Sequence, residues 1–283
     1  MPDATLTHPG AAAAAPDRTG SRGRLTWRGI LRSEWIRLTT TRSTWVTLLA
    51  TGLLMGVFGA VAAAASTGAA VGPGGAPPPG FRGADTMGVL VAGQTPVVLV
   101  IGVLGVMLGA REYASGMVRT TYAAVPARWR VLLARTLVLA GSSAVVVGAG
   151  VLVAFAAGNA VLAGADEPTV GLGDPGTVRV LVGVTGYLVA AGVLGLFLGT
   201  LARGIGAGVG TLIGLLLVVP GFGTLLLPDD WQDALSYLPS EAAEAVTTTA
   251  GGDLGTLSGV VVLVAWVVGL GVAAGVVLHR RDV

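Results

Sequence analysis

Six stretches without a single charged residue run through the chain: 45–66, 87–110, 137–163, 180–201, 205–227 and 257–278. Each is long enough to cross a bilayer as a helix, which needs about 20 mostly apolar residues. They are too many and too evenly spread for a signal peptide or a single anchor. The pattern predicts an all-α integral membrane protein with six transmembrane helices, filling residues 43–283.

The intervening segments differ in kind. Residues 1–24 are rich in Pro, Ala and Gly, with five alanines at 11–15. They cannot bury a core, and the expectation is a disordered cytoplasmic tail. In 25–42, Trp27, Ile30, Leu31, Trp35 and Leu38 recur at helical spacing, while Arg24, Arg28 and Arg32 fall on another face. A basic amphipathic helix with tryptophans beside a span reads as lying in the membrane interface. The plainer reading is a juxtamembrane segment that supplies positive charge. Residues 67–84 form a Gly/Pro-rich loop. Span 4 turns tightly into span 5 at Ala202–Gly204, which makes these two antiparallel neighbours. Pro220-Gly221 is expected to break or kink span 5. Trp231, Ala234, Leu235 and Leu238 then read as a short outer helix, with Pro239 as its stop.

Charge assigns the sides. All 17 basic residues are Arg, and 15 of them fall in four places: 18–42, 111–135, Arg203 and 280–281. With six spans these places share one face, and the positive-inside bias makes that face cytoplasmic. Both termini are then cytoplasmic. Only Arg82 and Arg179 lie on the other side. That side carries ten of the 15 acidic residues, in loops 67–86, 164–179 and 228–256.

Composition removes several function classes. Without Lys there can be no ordinary Walker A loop and no Schiff base. Without Cys there is no disulfide or thiolate metal site. The two histidines, His8 and His279, have no acidic or histidine neighbour at ligand spacing. No catalytic set and no resident cofactor are expected. A mean hydropathy of +0.80 with 11% charged residues sets aside nucleic acid as a partner despite the basic pI. The six spans carry no charge, whereas ion-coupled carriers usually place an ionisable group at membrane depth.

What remains is packing and two polar positions. Gly52/Gly56, Gly105/Gly109, Gly195/Gly199, Gly206/Gly210/Gly214 and Gly271/Gly275 are GxxxG pairs, which let helix backbones approach closely. Together they predict a tight bundle. Gln94 and Asn159 are the most polar residues within the spans. Each is either an internal hydrogen-bonding group or a contact on a substrate path. The most specific signal is REYASGMVRTTYAAVPARWR at 111–130. Glu112 ends span 2, Gly116 and Pro126 bracket a short helix, and Arg119, Arg128 and Arg130 face the cytoplasm. A compact basic loop of this kind suits docking of a cytoplasmic partner. It equally suits the topology rule alone.

That segment resembles the E-Y-x-x-G-x-x-R-T-T-x-A-A-V-P-x-R signature after the second span of ABC-2 type transporter permeases, especially actinobacterial ones. SEWIRLTTTRSTWVTLL at 33–49 is similar to their N-terminal entry, with Arg37 where a Lys is common. Trp231…Tyr237-Leu238-Pro239-Ser240 is similar to their last external loop. The resemblance covers residues 25–283, and the Pro-rich stretch 73–80 departs from it. It implies a multi-pass permease of the cell membrane that pairs with a separate ATP-binding subunit, usually two of each. The second permease would be another copy or a paralogue. ATP and Mg would be bound in the partner subunit. Segment 111–130 would hold the coupling helix, with Glu112, Tyr113, Gly116, Arg119, Thr120, Pro126 and Arg128 at the interface. The implied activity is export of an amphipathic or hydrophobic substrate. A non-transporting membrane scaffold or immunity protein and a secondary carrier are the competing readings.

Overall fold

The computed structural model describes residues 26–68, 76–78, 81, 85–114, 128–226, 228, 232–250 and 254–280. The tail 1–24, most of the Gly/Pro-rich loop, Trp231 and the centre of the 111–130 segment lie outside them. Among the described residues the chain is helical, with no strand. Six helical runs are long and apolar enough to cross a membrane.

Helix α1 (Trp27–Thr40) starts where the Thr26 hydroxyl accepts from Gly29 N–H, and it ends in a threonine run. The hydroxyls of Thr39, Thr40 and Thr41 bond back to carbonyls of the preceding turn. Such local bonds compete with helix continuation. The backbone leaves helical geometry at Thr41, and α2 (Arg42–Ser66), the first span, begins at once.

The second span is not the continuous helix 87–110 that hydropathy predicts. A short helix α3 (Thr86–Leu90), capped by Asp85, is followed by a turn at Val91–Gly93 and then by α4 (Gln94–Ala114). Pro96 explains the interruption. In an unbroken helix its ring would strike the Ala92 carbonyl. Restarting at Gln94 puts Pro96 in the first turn, where no N–H is required. The turn is buried in protein, with Val91 inaccessible and Gly93 packed on Met55 and Phe58. That is the condition under which non-helical backbone is tolerated at membrane depth.

Helix α5 (Arg128–Gly164) starts well before the expected 137, so its first turns carry Arg130 and Arg135. Helix α6 (Thr177–Ala202) ends at Arg203, which takes a left-handed conformation with φ 54°. Gly204 follows, and α7 (Ile205–Ile213) doubles back along α6 as the tight turn predicts. Pro220 does not break the fifth span. A π-helical turn at Gly214–Val218, in which Val219 N–H reaches the Gly214 carbonyl, carries the chain into α8 (Val219–Leu226). The widened turn accommodates the proline ring, and π-bulges commonly serve such insertions.

The short helix before Pro239 is a 3-10 turn at Asp233–Tyr237 that ends there, with Leu238 extended, and Pro239 then opens a further helix, α9 (Pro239–Thr247). The last span is α10 (Thr256–Arg280). The connection between α8 and α10 does not lie across the end of the bundle. Trp266 Nε1 donates to the Tyr237 carbonyl at 2.8 Å. Trp266 sits about 15 Å along α10, at 1.5 Å per residue. Ala242 and Ala245 lie against Gly259, closer to the start of α10. Helix α9 therefore runs alongside the apolar stretch of α10 and back towards the start of α10. It carries Glu241 and Glu244 with it. The spans themselves are free of charge as read from sequence, but this inserted helix brings two carboxylates beside them.

Glycine contacts hold the bundle. A Cβ on Gly105 or Gly109 of α4 would collide with the Gly192 or Leu196 carbonyl of α6, and one on Gly195 or Gly199 with the Gly102 or Val106 carbonyl of α4. Gly52, Gly56 and Gly59 of α2 press in the same way on Val146, Val153 and Ala154 of α5. Both pairings run parallel, joining spans one and three, and two and four. Gly271 meets only the Phe197 ring, and Gly206, Gly210, Gly214 and Gly275 have nothing within 4 Å. Burial follows: 67% of the most apolar window of α6 is enclosed, against 17% for the fifth span and 11% for α10. Helix α6 is the axis of the bundle and α10 its periphery.

Gly105→Ala should therefore lower stability by about 1–3 kcal/mol, the usual cost of overpacking a tight contact. Gly210→Ala should be neutral or slightly stabilising, because a methyl group there meets open space and Ala is the better helix former. Thermal melting of the detergent-solubilised variants measures both. Equal melting temperatures would contradict the assigned helix contacts.

Candidate functional site at the basic end of the bundle

Helix α1 buries one face through Ile30, Glu34 and Leu38, four residues apart. Glu34 is thus an acid set into an apolar stripe, only 8% exposed. Its carboxylate is met by Arg135 of α5, itself 7% exposed, with Nε 3.3 Å from Oε2 and Nη2 3.5 Å from Oε1. This two-pronged geometry suits a guanidinium and is not reproduced by Lys. Arg135 Nη1 also donates to the Leu108 carbonyl of α4 at 3.4 Å. Arg37 flanks the pair, 3.8 Å from Glu34 Oε1.

Arg111, in the last described turn of α4, donates to Ser43 Oγ of α2 at 3.1 Å. Helices α1, α2, α4 and α5 are thereby tied together by side chains at one end of the bundle. Glu34, Arg37, Thr41, Arg111 and Arg135 enclose a cavity of about 30 Å³, enough for solvent. Positive charge near the α4 C-terminus also complements that helix dipole.

This cluster stands at the two roots of the 111–130 segment. Glu112 and Tyr113 are in the final helical turn of α4, and Arg128 is the first residue of α5. Gly116, Arg119, Thr120 and Pro126 fall within 115–127, outside the described residues, as does the expected short helix. Sequence reasoning counted Arg111 and Arg135 as loop charges and passed over Glu34. The signal was present, since Glu34 is the lone acid midway between Ile30 and Leu38.

The two interior polar residues behave differently. Asn159 Nδ2 donates to the Phe155 and Val170 carbonyls, both at 3.1 Å, and its Oδ1 accepts from Val170 N–H at 3.0 Å. It pins the loop after α5 to that helix. Gln94 starts α4, and its buried Oε1 has no hydrogen-bond partner. The two are not brought together with the basic end. Among the described residues no cluster of His, Cys, Asp or Glu could hold a metal ion. The arrangement is a rigid junction of α1, α2, α4 and α5 at the two roots of segment 111–130.

Neither a protein-family model nor a curated protein sequence matches the chain.

Removing one partner of the buried pair leaves the other charged and uncompensated, which costs about 3–5 kcal/mol. Arg135→Met alone should destabilise the protein strongly. The double variant Glu34→Met/Arg135→Met should recover most of the loss. Melting of the two variants in detergent decides this. A double variant as unstable as the single one would contradict the ion-pair assignment.

Proposed function

We propose that this chain is the membrane-spanning permease subunit of an ABC transporter of the ABC-2 type, resident in the cytoplasmic membrane. The reading sets both termini in the cytoplasm, α1 along the inner interface and α9 towards the outer side. Two copies, or one copy with a paralogous permease, form the translocation unit. A separate ATP-binding subunit binds Mg-ATP and supplies the energy, and this chain has no hydrolytic role. The cargo is an amphipathic or hydrophobic molecule, and the direction is outward.

The carrying observation is the 111–130 segment together with its roots. A basic segment of the ABC-2 pattern leaves the bundle from α4 and returns through α5. Both roots meet at Arg135, which grips Glu34 on one side and the Leu108 carbonyl on the other. Force applied to such a segment passes into α4 and α5 without bending them independently. Helix α4 is locked to α6, and α5 to α2, by backbone-close glycine contacts. The two parallel pairs then act as two stiff bodies, and rocking one against the other opens and closes a path. Rigid-body motion of packed elements is a standard form of such transitions.

The test is affinity purification of the tagged chain from its native membrane. An ATP-binding-cassette protein should co-purify with the unaltered chain, and be reduced at least about ten-fold by Arg119→Glu/Arg128→Glu, since charge reversal at an interface costs more than a rim contact contributes. The variant chain should still insert and fold, because neither change falls in one of the six charge-free runs. Recovery of no such protein, or undiminished recovery with the variant, would overturn the reading.

A further inference from the structure

Span two is divided between the two glycine-locked pairs. Its first piece, α3, sits on α2 and α5. A Cβ on Gly59 would strike the Leu90 carbonyl, and one on Gly158 the Leu90 side chain. Gly93 rests on Met55 and Phe58 of α2. Its second piece, α4, packs backbone-close on α6 from Gly102 onward. The chain passes from one pair to the other in the turn Val91–Gly93. There the N–H groups of Ala92 and Gln94 bond to the third carbonyl back, those of Val89 and Val91. Gln94 buries its Oε1 beside the turn without a donor, a cost that movement at the turn can relieve.

At the basic end the two pairs are joined by Arg111 and Arg135. Away from that end, a groove of about 640 Å³ lies between α5 and α6, with Gly148 and Leu152 on one side and Leu181 and Thr185 on the other. A polar contact bridges the far end. Asp85, the N-cap of α3, accepts at Oδ2 from Gly88 N–H at 3.2 Å and from Thr249 Oγ1 at 2.9 Å. Thr249 is itself held to α6, since its carbonyl and that of Thr248 accept from Arg179 Nη2. The Asp85–Thr249 hydrogen bond thus runs from the α2/α5 pair, through α3, to the α4/α6 pair, through Arg179. Asp85 and Thr249 are both exposed. A hydrogen bond that exchanges with water contributes little net, so this one can release without dismantling the bundle.

We propose that the Val91–Gly93 turn is a hinge and that the Asp85–Thr249 hydrogen bond is the latch holding the far ends of the two pairs together. Hinges are a few loop or element-terminal residues that absorb backbone rotation, and here the joint falls where the span changes partners. When the latch releases, the pairs part at the far end while the Arg135 junction stays closed. The device rests on the rocking of two stiff bodies, but its test needs no ATP-binding subunit, so a failed latch and a failed partner assignment are told apart.

The experiment uses the full chain in lipid nanodiscs with pairs of nitroxide labels, read by double electron–electron resonance. The chain has no Cys of its own. Val61→Cys/Val178→Cys places labels on exposed positions of α2 and α6, one in each pair. Val61→Cys/Leu152→Cys lies within the α2/α5 pair, and Thr95→Cys/Val178→Cys within the α4/α6 pair. Thr249→Val removes the hydroxyl and keeps the side-chain shape, the carbonyl contact with Arg179 and the Asp85 cap on Gly88. It should raise the population of a longer Val61–Val178 distance about five-fold, the scale of one hydrogen bond. The two within-pair distances should not change. An unchanged Val61–Val178 distribution in Thr249→Val would remove the latch. A longer Thr95–Val178 distance would show α4 moving with α3 and remove the hinge. A longer Val61–Leu152 distance would mean a loosened bundle in place of two stiff bodies, and would overturn the proposal as well.

Discussion

In a bilayer, apolar side chains gain nothing by leaving lipid for one another, so helices associate through close packing and hydrogen bonds. The whole bundle depends on that constraint. Its solution here is backbone-on-backbone contact between α4 and α6 and between α2 and α5, at positions where only glycine fits. These contacts join next-but-one spans and so fix parallel pairs. The intervening α7, α8 and α10 are left at the periphery with most of their surface uncovered. A groove between α6 and α10 follows from the same arrangement, since a peripheral helix held at its end by α9 leaves space along its length.

Among the described residues a buried or half-buried arginine anchors each end of the bundle, with different work at each. At one end Glu34 and Arg135 form a buried pair that joins α1 to α5 and reaches α4. At the other, Arg179 of α6 gathers the Thr248 and Thr249 carbonyls just past α9 and ties the inserted helix to α6. Both arginines use a planar fork of donors, which accords with a chain that employs Arg and no Lys. The first arrangement is charge-balanced and serves rigidity. The second sets a guanidinium on neutral carbonyl and hydroxyl acceptors and serves the same end.

Much of this was legible in the sequence. The charge-free runs gave six spans, and the Ala202–Gly204 turn gave the antiparallel pairing of α6 with α7. Prolines were the main source of error, because a proline constrains its position without saying which side of it is helical. Pro96 restarts a span that hydropathy reads as continuous. Pro220 is absorbed by a π turn, and Pro239 both follows the end of one short helix and opens a second that was not expected. GxxxG spacing was informative only where a partner helix was at hand: Gly105 and Gly109 are locked, whereas Gly206, Gly210 and Gly214 are open. Glu34 was hidden among apolar neighbours, and its partner lies 101 residues away. The position of Glu241 and Glu244 beside α10 was beyond reach, since it depends on a loop turning inward. It removes one premise of the argument against ion coupling, and the ABC-2 reading rests on the 111–130 segment instead.

The most direct measurement is the ATP hydrolysis rate of the ATP-binding-cassette protein recovered with the chain, assayed in lipid nanodiscs with and without it. The account predicts that the rate changes several-fold when the chain is present, and returns to that of the isolated subunit with Arg119→Glu/Arg128→Glu. A rate indifferent to the presence of the folded chain would contradict the claim that segment 111–130 couples this bundle to ATP.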